Sequence, residues 1–117
     1  MTTRTRSLEL TAERLRAYSR RGNFHSEPEE ASRLGLPGLL AQGMQVAGPA
    51  YGLLLDEWGE EFLSGGELEV KFVGMVSDGE VARATVHLDG DAATVEVVND
   101  ARDATAVVGR ARRAFSA

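Results

Sequence analysis

At 117 residues, with 43% hydrophobic and 26% charged residues, the chain has the balance of an ordinary globular protein and the length of one domain spanning 1–117. A formal charge of −5 argues against nucleic acid as a partner, and the lack of cysteine removes disulfides, thiolate nucleophiles and cysteine metal sites and fits a reducing compartment. Residues 1–7 hold no apolar segment of signal-peptide length and no later run reaches membrane-span length, so the expectation is a cytoplasmic protein without membrane contact. His25 and His87 stand too far apart for a short metal-ligand pair, and neither a metal nor another cofactor is expected.

The chain opens with a short strand predicted over 7–10. Thr11 is placed as the N-cap of a helix from Ala12 to about Arg21, which Gly22 and Asn23 stop. Ser26, Pro28 and Glu29 have capping-box spacing with proline in the first turn, and Gly35 is placed to end that second, short helix. The stretch 35–43, with Pro37, Gly38 and Gly43 among leucines, reads as a buried irregular loop. From Met44 to Trp58 apolar residues surround nearly the whole helical circumference, which predicts a helix buried on most sides, with a kink or a late start at Pro49. After 64–66 the period drops to two. Leu68, Val70 and Phe72 alternate with Glu67, Glu69 and Lys71, and Ala82, Ala84 and Val86 alternate with Arg83, Thr85 and His87. Asp89–Gly90–Asp91 signals a tight hairpin, and two more strands follow over 94–98 and 104–111. A chain this short has one apolar helix to cover and one amphipathic antiparallel sheet to cover it. An α+β hot-dog fold follows, a curved sheet wrapped around a central helix.

The segment from Tyr18 to Met44, YSRRGNFHSEPEEASRLGLPGLLAQGM, resembles the signature region of the MaoC-like hydratases and dehydratases. Tyr18 and Ser19 match its beginning, His25 its histidine, Glu27 and Pro28 its acid-proline pair, and Gly43 and Met44 the pair that opens the central helix. The resemblance implies catalysis on an acyl thioester by a histidine-aspartate pair, with amides at the start of the central helix polarising the thioester oxygen. It assigns His25 as general base and Gly43 as amide donor. It also implies a substrate carried on coenzyme A or an acyl-carrier protein, and a homodimer. The chain departs from the pattern in having no acid between Tyr18 and His25, where Arg20, Arg21 and Gly22 stand, and Gln42 replaces a histidine that many members carry.

Around His25, the residues Asn23, Gln42, Gln45, Tyr51 and Arg21 are candidate substrate contacts, Arg21 through a phosphate or carboxylate of the ligand. An imidazole can give and take a proton near neutral pH, which suits His25 to that role, whereas a backbone carbonyl could equally hold it in a structural one. His87 reads as an exposed strand residue. Asp56 and Glu57 read as surface or interface acids, and the arginines clustered near both ends as solvated surface. Two functions are consistent with these residues. One is a dehydratase, hydratase or related proton-transfer enzyme, such as an isomerase or cyclase, using His25 on an acyl-thioester or polyketide-like substrate. The other is a hot-dog protein without catalysis that binds an acyl chain or partners a catalytic subunit.

Overall fold

The computed structural model describes residues 1–19, 23, 25–36 and 38–114. Its elements run β1 (Thr2–Leu10), α1 (Ala12–Tyr18), α2 (Pro28–Arg33), α3 (Gly43–Trp58), α4 (Glu60–Leu63), β2 (Glu67–Phe72), β3 (Glu80–Asp89), β4 (Ala92–Asn99) and β5 (Ala104–Arg112). The strands form one antiparallel sheet in the order β1-β3-β4-β5-β2, with α3 packed on its inner face. This is the hot-dog architecture expected from the change of period after residue 66.

The strand register explains the core. Ala82, Ala84, Val86 and Leu88 of β3 and Ala93, Val95 and Val97 of β4 share the inner face and are buried. Small residues at Ala82 and Ala84 suit the close packing of α3 on β3, and Val46, Ala50, Leu53 and Leu54 of α3 share one buried core with them. Each fully buried Leu or Val is worth about 1.5–3 kcal/mol relative to exposure. A bulge shifts the β4–β5 register between Val97 and Val98, and both Ala106 and Val107 are buried there.

Several elements differ from the sequence reading. Strand β1 starts at Thr2 because Arg4 and Arg6, which break the apolar alternation, face inward and pair with Glu57 and Asp56 at the far end of α3. Helix α1 stops at Tyr18 because Ser19 is already extended, at φ −97° and ψ 152°. The capping box at Ser26 does not form; Glu27 is the N-cap of α2, and no side chain caps that helix. Gly35 does end it, with φ +77° that a side-chain-bearing residue rarely adopts. Helix α3 begins at Gly43 and carries Pro49 in its interior, so the late start is not taken. Nor is α3 buried on most sides: Met44, Gly48 and Tyr51 form an exposed stripe at helical spacing. The short α4, which no sequence signal predicted, seats Phe62 against Trp58 and Tyr51, with ring centroids 5.8 and 5.3 Å away.

Candidate functional site

Asn23 builds the turn that presents His25. Its side-chain Oδ1 accepts the His25 backbone N–H at 2.9 Å, and its carbonyl accepts the N–H groups of Ser26 and Glu27 at 3.1 and 2.8 Å. The Arg16 guanidinium donates to the Ser26 carbonyl at 3.2 Å, and Gln45 donates through Nε2 to the Arg14 carbonyl at 3.0 Å. These bonds fasten the turn to α1 and α1 to α3. His25 itself is partly buried, and its Nδ1 lies 2.6 Å from the Leu40 carbonyl oxygen. A carbonyl only accepts, so Nδ1 must carry the proton of this hydrogen bond. In the neutral ring the basic lone pair is therefore at Nε2.

Leu40 belongs to the strip that leads into α3. It bridges to Ser77, the Ala41 N–H donates to the Val76 carbonyl at 2.9 Å, and the Asp78 N–H donates to the Leu39 carbonyl at 2.9 Å. The opposite segment is fixed in turn by Asn99, whose side chain donates to the Met75 carbonyl at 3.1 Å and to Glu80 at 3.2 Å. Glu80 also accepts the Ser77 N–H at 2.7 Å and an Arg102 N–H at 2.8 Å. Burial pushes the Glu80 carboxyl up, but the hydrogen bonds from Arg102, Ser77 and Asn99 and the charge of Arg102 outweigh it and hold the group below its usual range.

Between these segments and the start of α3 lies a cavity of about 410 Å³. Leu40, Val46, Val76 and Val107 line it together with Gln42 and Gly43, while Tyr18, Met44, Phe72 and Met75, each about half exposed, also border it. Gln42 is the N-cap of α3 in extended conformation, and no side chain caps the helix, which leaves its first-turn amides and positive dipole end beside the cavity. The Phe72 ring lies directly on Gly43: a Cβ there would meet ring atoms at 2.8 Å. A larger hollow of about 630 Å³ lies elsewhere, over the outer face of the sheet, between the Glu67–Arg112 and Glu69–Arg110 pairs with His87 and Thr94 at its base. Ion pairs rim that hollow on the outside of the sheet, whereas the cavity beside Gly43 adjoins the uncapped start of α3 and the strip that holds His25, which makes it the better candidate site.

The structure brings Gln42 and Gly43 to this cavity, and sets His25 beside it through the carbonyl of Leu40, a lining residue; His25 is not itself among the described lining residues. Asn23 is engaged with the His25 backbone, Gln45 with Arg14, and the Tyr51 ring with Phe62; none of the three borders the cavity. Arg21, like Arg20, Gly22, Phe24 and Pro37, lies outside the described residues. Among the described residues, no three His, Asp or Glu side chains group closely enough to hold a metal ion, and no helix is long and apolar enough to cross a membrane. Leu40, Phe72, Met75 and Val76 were not singled out by the sequence. Only Phe72 had a signal, its inward phase at the end of β2; the contribution of Leu40 is a backbone carbonyl, which residue type does not reveal.

No protein-family model matches the sequence, and no curated protein matches it. The fold is nonetheless that of a recognisable class, the hot-dog proteins, and solved structures share it over nearly the whole chain. An (R)-hydratase from A. caviae involved in PHA biosynthesis superposes with a TM-score of 0.77 at 21% identity, over 98% of this chain and 95% of that one. A MaoC-like dehydratase from Phytophthora capsici gives 0.80 at 17% identity over 97% of this chain, which spans 42% of that protein. The ChsH1-ChsH2 complex from Mycobacterium tuberculosis gives 0.75 at 10% identity, over 98% of this chain and 96% of the matched one. At these identities the likeness is one of fold.

Proposed function

We propose that this chain is a MaoC-like hydratase or dehydratase, or a proton-transfer relative of these, acting on an acyl thioester with His25 as base. The observation that carries the reading is the hydrogen bond between His25 Nδ1 and the Leu40 carbonyl. It leaves the basic lone pair of the neutral ring on Nε2 and holds the ring on the strip that leads into the uncapped start of α3. In hydration of an enoyl thioester, Nε2 takes a proton from water as the water oxygen bonds to the β-carbon. The π electrons move through the α-carbon onto the thioester oxygen, which the Gly43 amide stabilises. The imidazolium then returns its proton to the α-carbon, and dehydration is the reverse. One imidazole carries the proton both ways, which suits a chain with no acid between Tyr18 and His25. The fold shared with (R)-hydratases supports this reading, as does the apolar lining of the cavity.

The acyl group would arrive on coenzyme A or a carrier protein, and the working unit would be a homodimer of a single-domain chain. Met44 and Tyr51 on α3 and Val73, just past β2, are exposed apolar residues that a second copy would cover, which supports pairing. A monomeric mass in solution would contradict the pairing.

The test is turnover of a panel of enoyl and 3-hydroxyacyl thioesters by the wild type and by His25→Ala. We expect the substitution to lower turnover by about 10²–10⁴-fold while ligand affinity changes little. Unchanged turnover in His25→Ala would remove the histidine from the chemistry, and a wild type inert towards every thioester would leave a binding protein.

A further inference from the structure

We propose that Phe72 determines the size of the acyl group the cavity accepts, an inference that rests on the acyl-thioester reading for its ligand and on geometry for the residue. Phe72 ends β2 on the inner face of the sheet, opposite Val107, and its ring covers Gly43 closely enough to leave no room for a Cβ. It therefore borders the cavity beside the first residue of α3. An acyl chain held with its carbonyl at the start of α3 would lie against this ring, and the space left beside it would limit the length of chain that fits.

The other lining residues are poorly suited to that task. Val46, Val76 and Val107 are buried in the core, so changing them alters the fold before it alters the ligand. Leu40 and Ala41 are fixed by the bridge to Ser77 and the hydrogen bond to Val76. Met44 and Met75 are unbranched and adapt to what lies beside them. The Phe72 ring is half exposed and packed on the Gly43 position of α3. Removing it enlarges the cavity at the position next to the reacting carbonyl, with little loss of core packing.

The experiment measures binding and turnover separately. Saturated acyl-coenzyme A thioesters from butyryl to decanoyl are titrated by calorimetry into the wild type, Phe72→Ala, Phe72→Leu and Phe72→Trp, and hydration of the matching enoyl thioesters is followed in parallel. Because each methylene accepted or refused by an apolar pocket is worth roughly 10–200-fold, Phe72→Ala should raise the ratio of affinities for long over short chains by about tenfold or more. Phe72→Leu should move it the same way by less, and Phe72→Trp should reverse it. If Phe72→Ala does not fold, the leucine and tryptophan variants carry the test.

The inference is overturned if the ratio is the same in all four proteins, even when hydration proceeds and the acyl-thioester reading stands. A shifted ratio without hydration supports Phe72 as the selecting residue and removes the catalysis. No binding of any thioester to any of the proteins overturns both.

Discussion

The two outer strands of the sheet close over the same helix by opposite means. A single inner-face row runs from Arg6 on β1 through Ala84, Val97 and Val107 to Phe72 on β2. At the β1 end Arg6 lies across Gly52, where a Cβ would meet its guanidinium, and pairs with Asp56, while Arg4 pairs with Glu57 at 2.6 Å. At the β2 end Phe72 lies on Gly43, with the cavity beside it. Each side chain rests on a glycine of α3, but one contact is ionic and solvated and the other apolar and hollow. Inward charges on an outer strand deter another chain from pairing with it at little gain in stability, and an apolar outer strand leaves a surface that a ligand or a second copy can use. The two seams thus differ in chemistry, one closed by exposed charge pairs and the other by an aromatic ring beside a cavity.

The largest expected effect comes from what both seams share. Leu54 is fully buried in α3, and Leu54→Ala should cost about 2–5 kcal/mol in denaturant unfolding; a cost under about 1 kcal/mol would mean that α3 is not the common core. Next comes the wall of the apolar seam. Asn99→Ala removes the donor to the Met75 carbonyl and to Glu80, and should cost about 1–3 kcal/mol and speed amide exchange at Ala41, whose N–H rests on the same segment. Stability lost without faster exchange at Ala41 would separate that network from the cavity.

The same network gives a pH dependence. The folded-state pKa of Glu80 lies below the ordinary 4.5, so near that pH the unfolded chain binds more protons and stability rises with pH. The contribution of Glu80 is complete above about pH 4.5 and is lost as pH falls through the lowered pKa. Denaturation at a series of acid pH values should find the gap between wild type and Glu80→Gln closing in that window, whereas a gap constant with pH would deny the carboxylate its role. The smallest effect belongs to the charged seam. A double-mutant cycle on Arg6→Ala and Asp56→Ala should give a coupling of about 0.2–1 kcal/mol that fades with added salt, since both side chains are well exposed. A coupling as large as the Asn99 effect would erase the contrast between the two edges.

Most of the architecture was legible because it is written in local periods. The alternation over 67–72 and 80–88, the Asp89–Gly90–Asp91 turn with Gly90 at φ +61°, and the long apolar helix after Gly43 needed no knowledge of what they pack against. Strand β1 was read short for the converse reason: Arg4 and Arg6 occupy inner-face positions that a period-two search reserves for apolar residues, and only their partners on α3 make them tolerable there. Of the candidate site residues, Gln42 and Gly43 line the cavity and His25 bonds to the lining Leu40, while Gln45 and Tyr51 are engaged with Arg14 and Phe62; residue type and spacing proposed all five, and only the packing of α1, α3 and α4 separates them.

By itself, the sequence determined most of the stretches that become helix or strand, the inward faces of β2 to β4, and that one apolar helix must be covered by one sheet, because these follow from patterns a few residues long. The tertiary structure alone decided which atoms meet: the Leu40 carbonyl on the His25 ring, the Phe72 ring on Gly43, and Asn99 beneath Met75. Those contacts join residues 15, 29 and 24 positions apart, and their existence depends on how the sheet curls over α3, which no local pattern encodes.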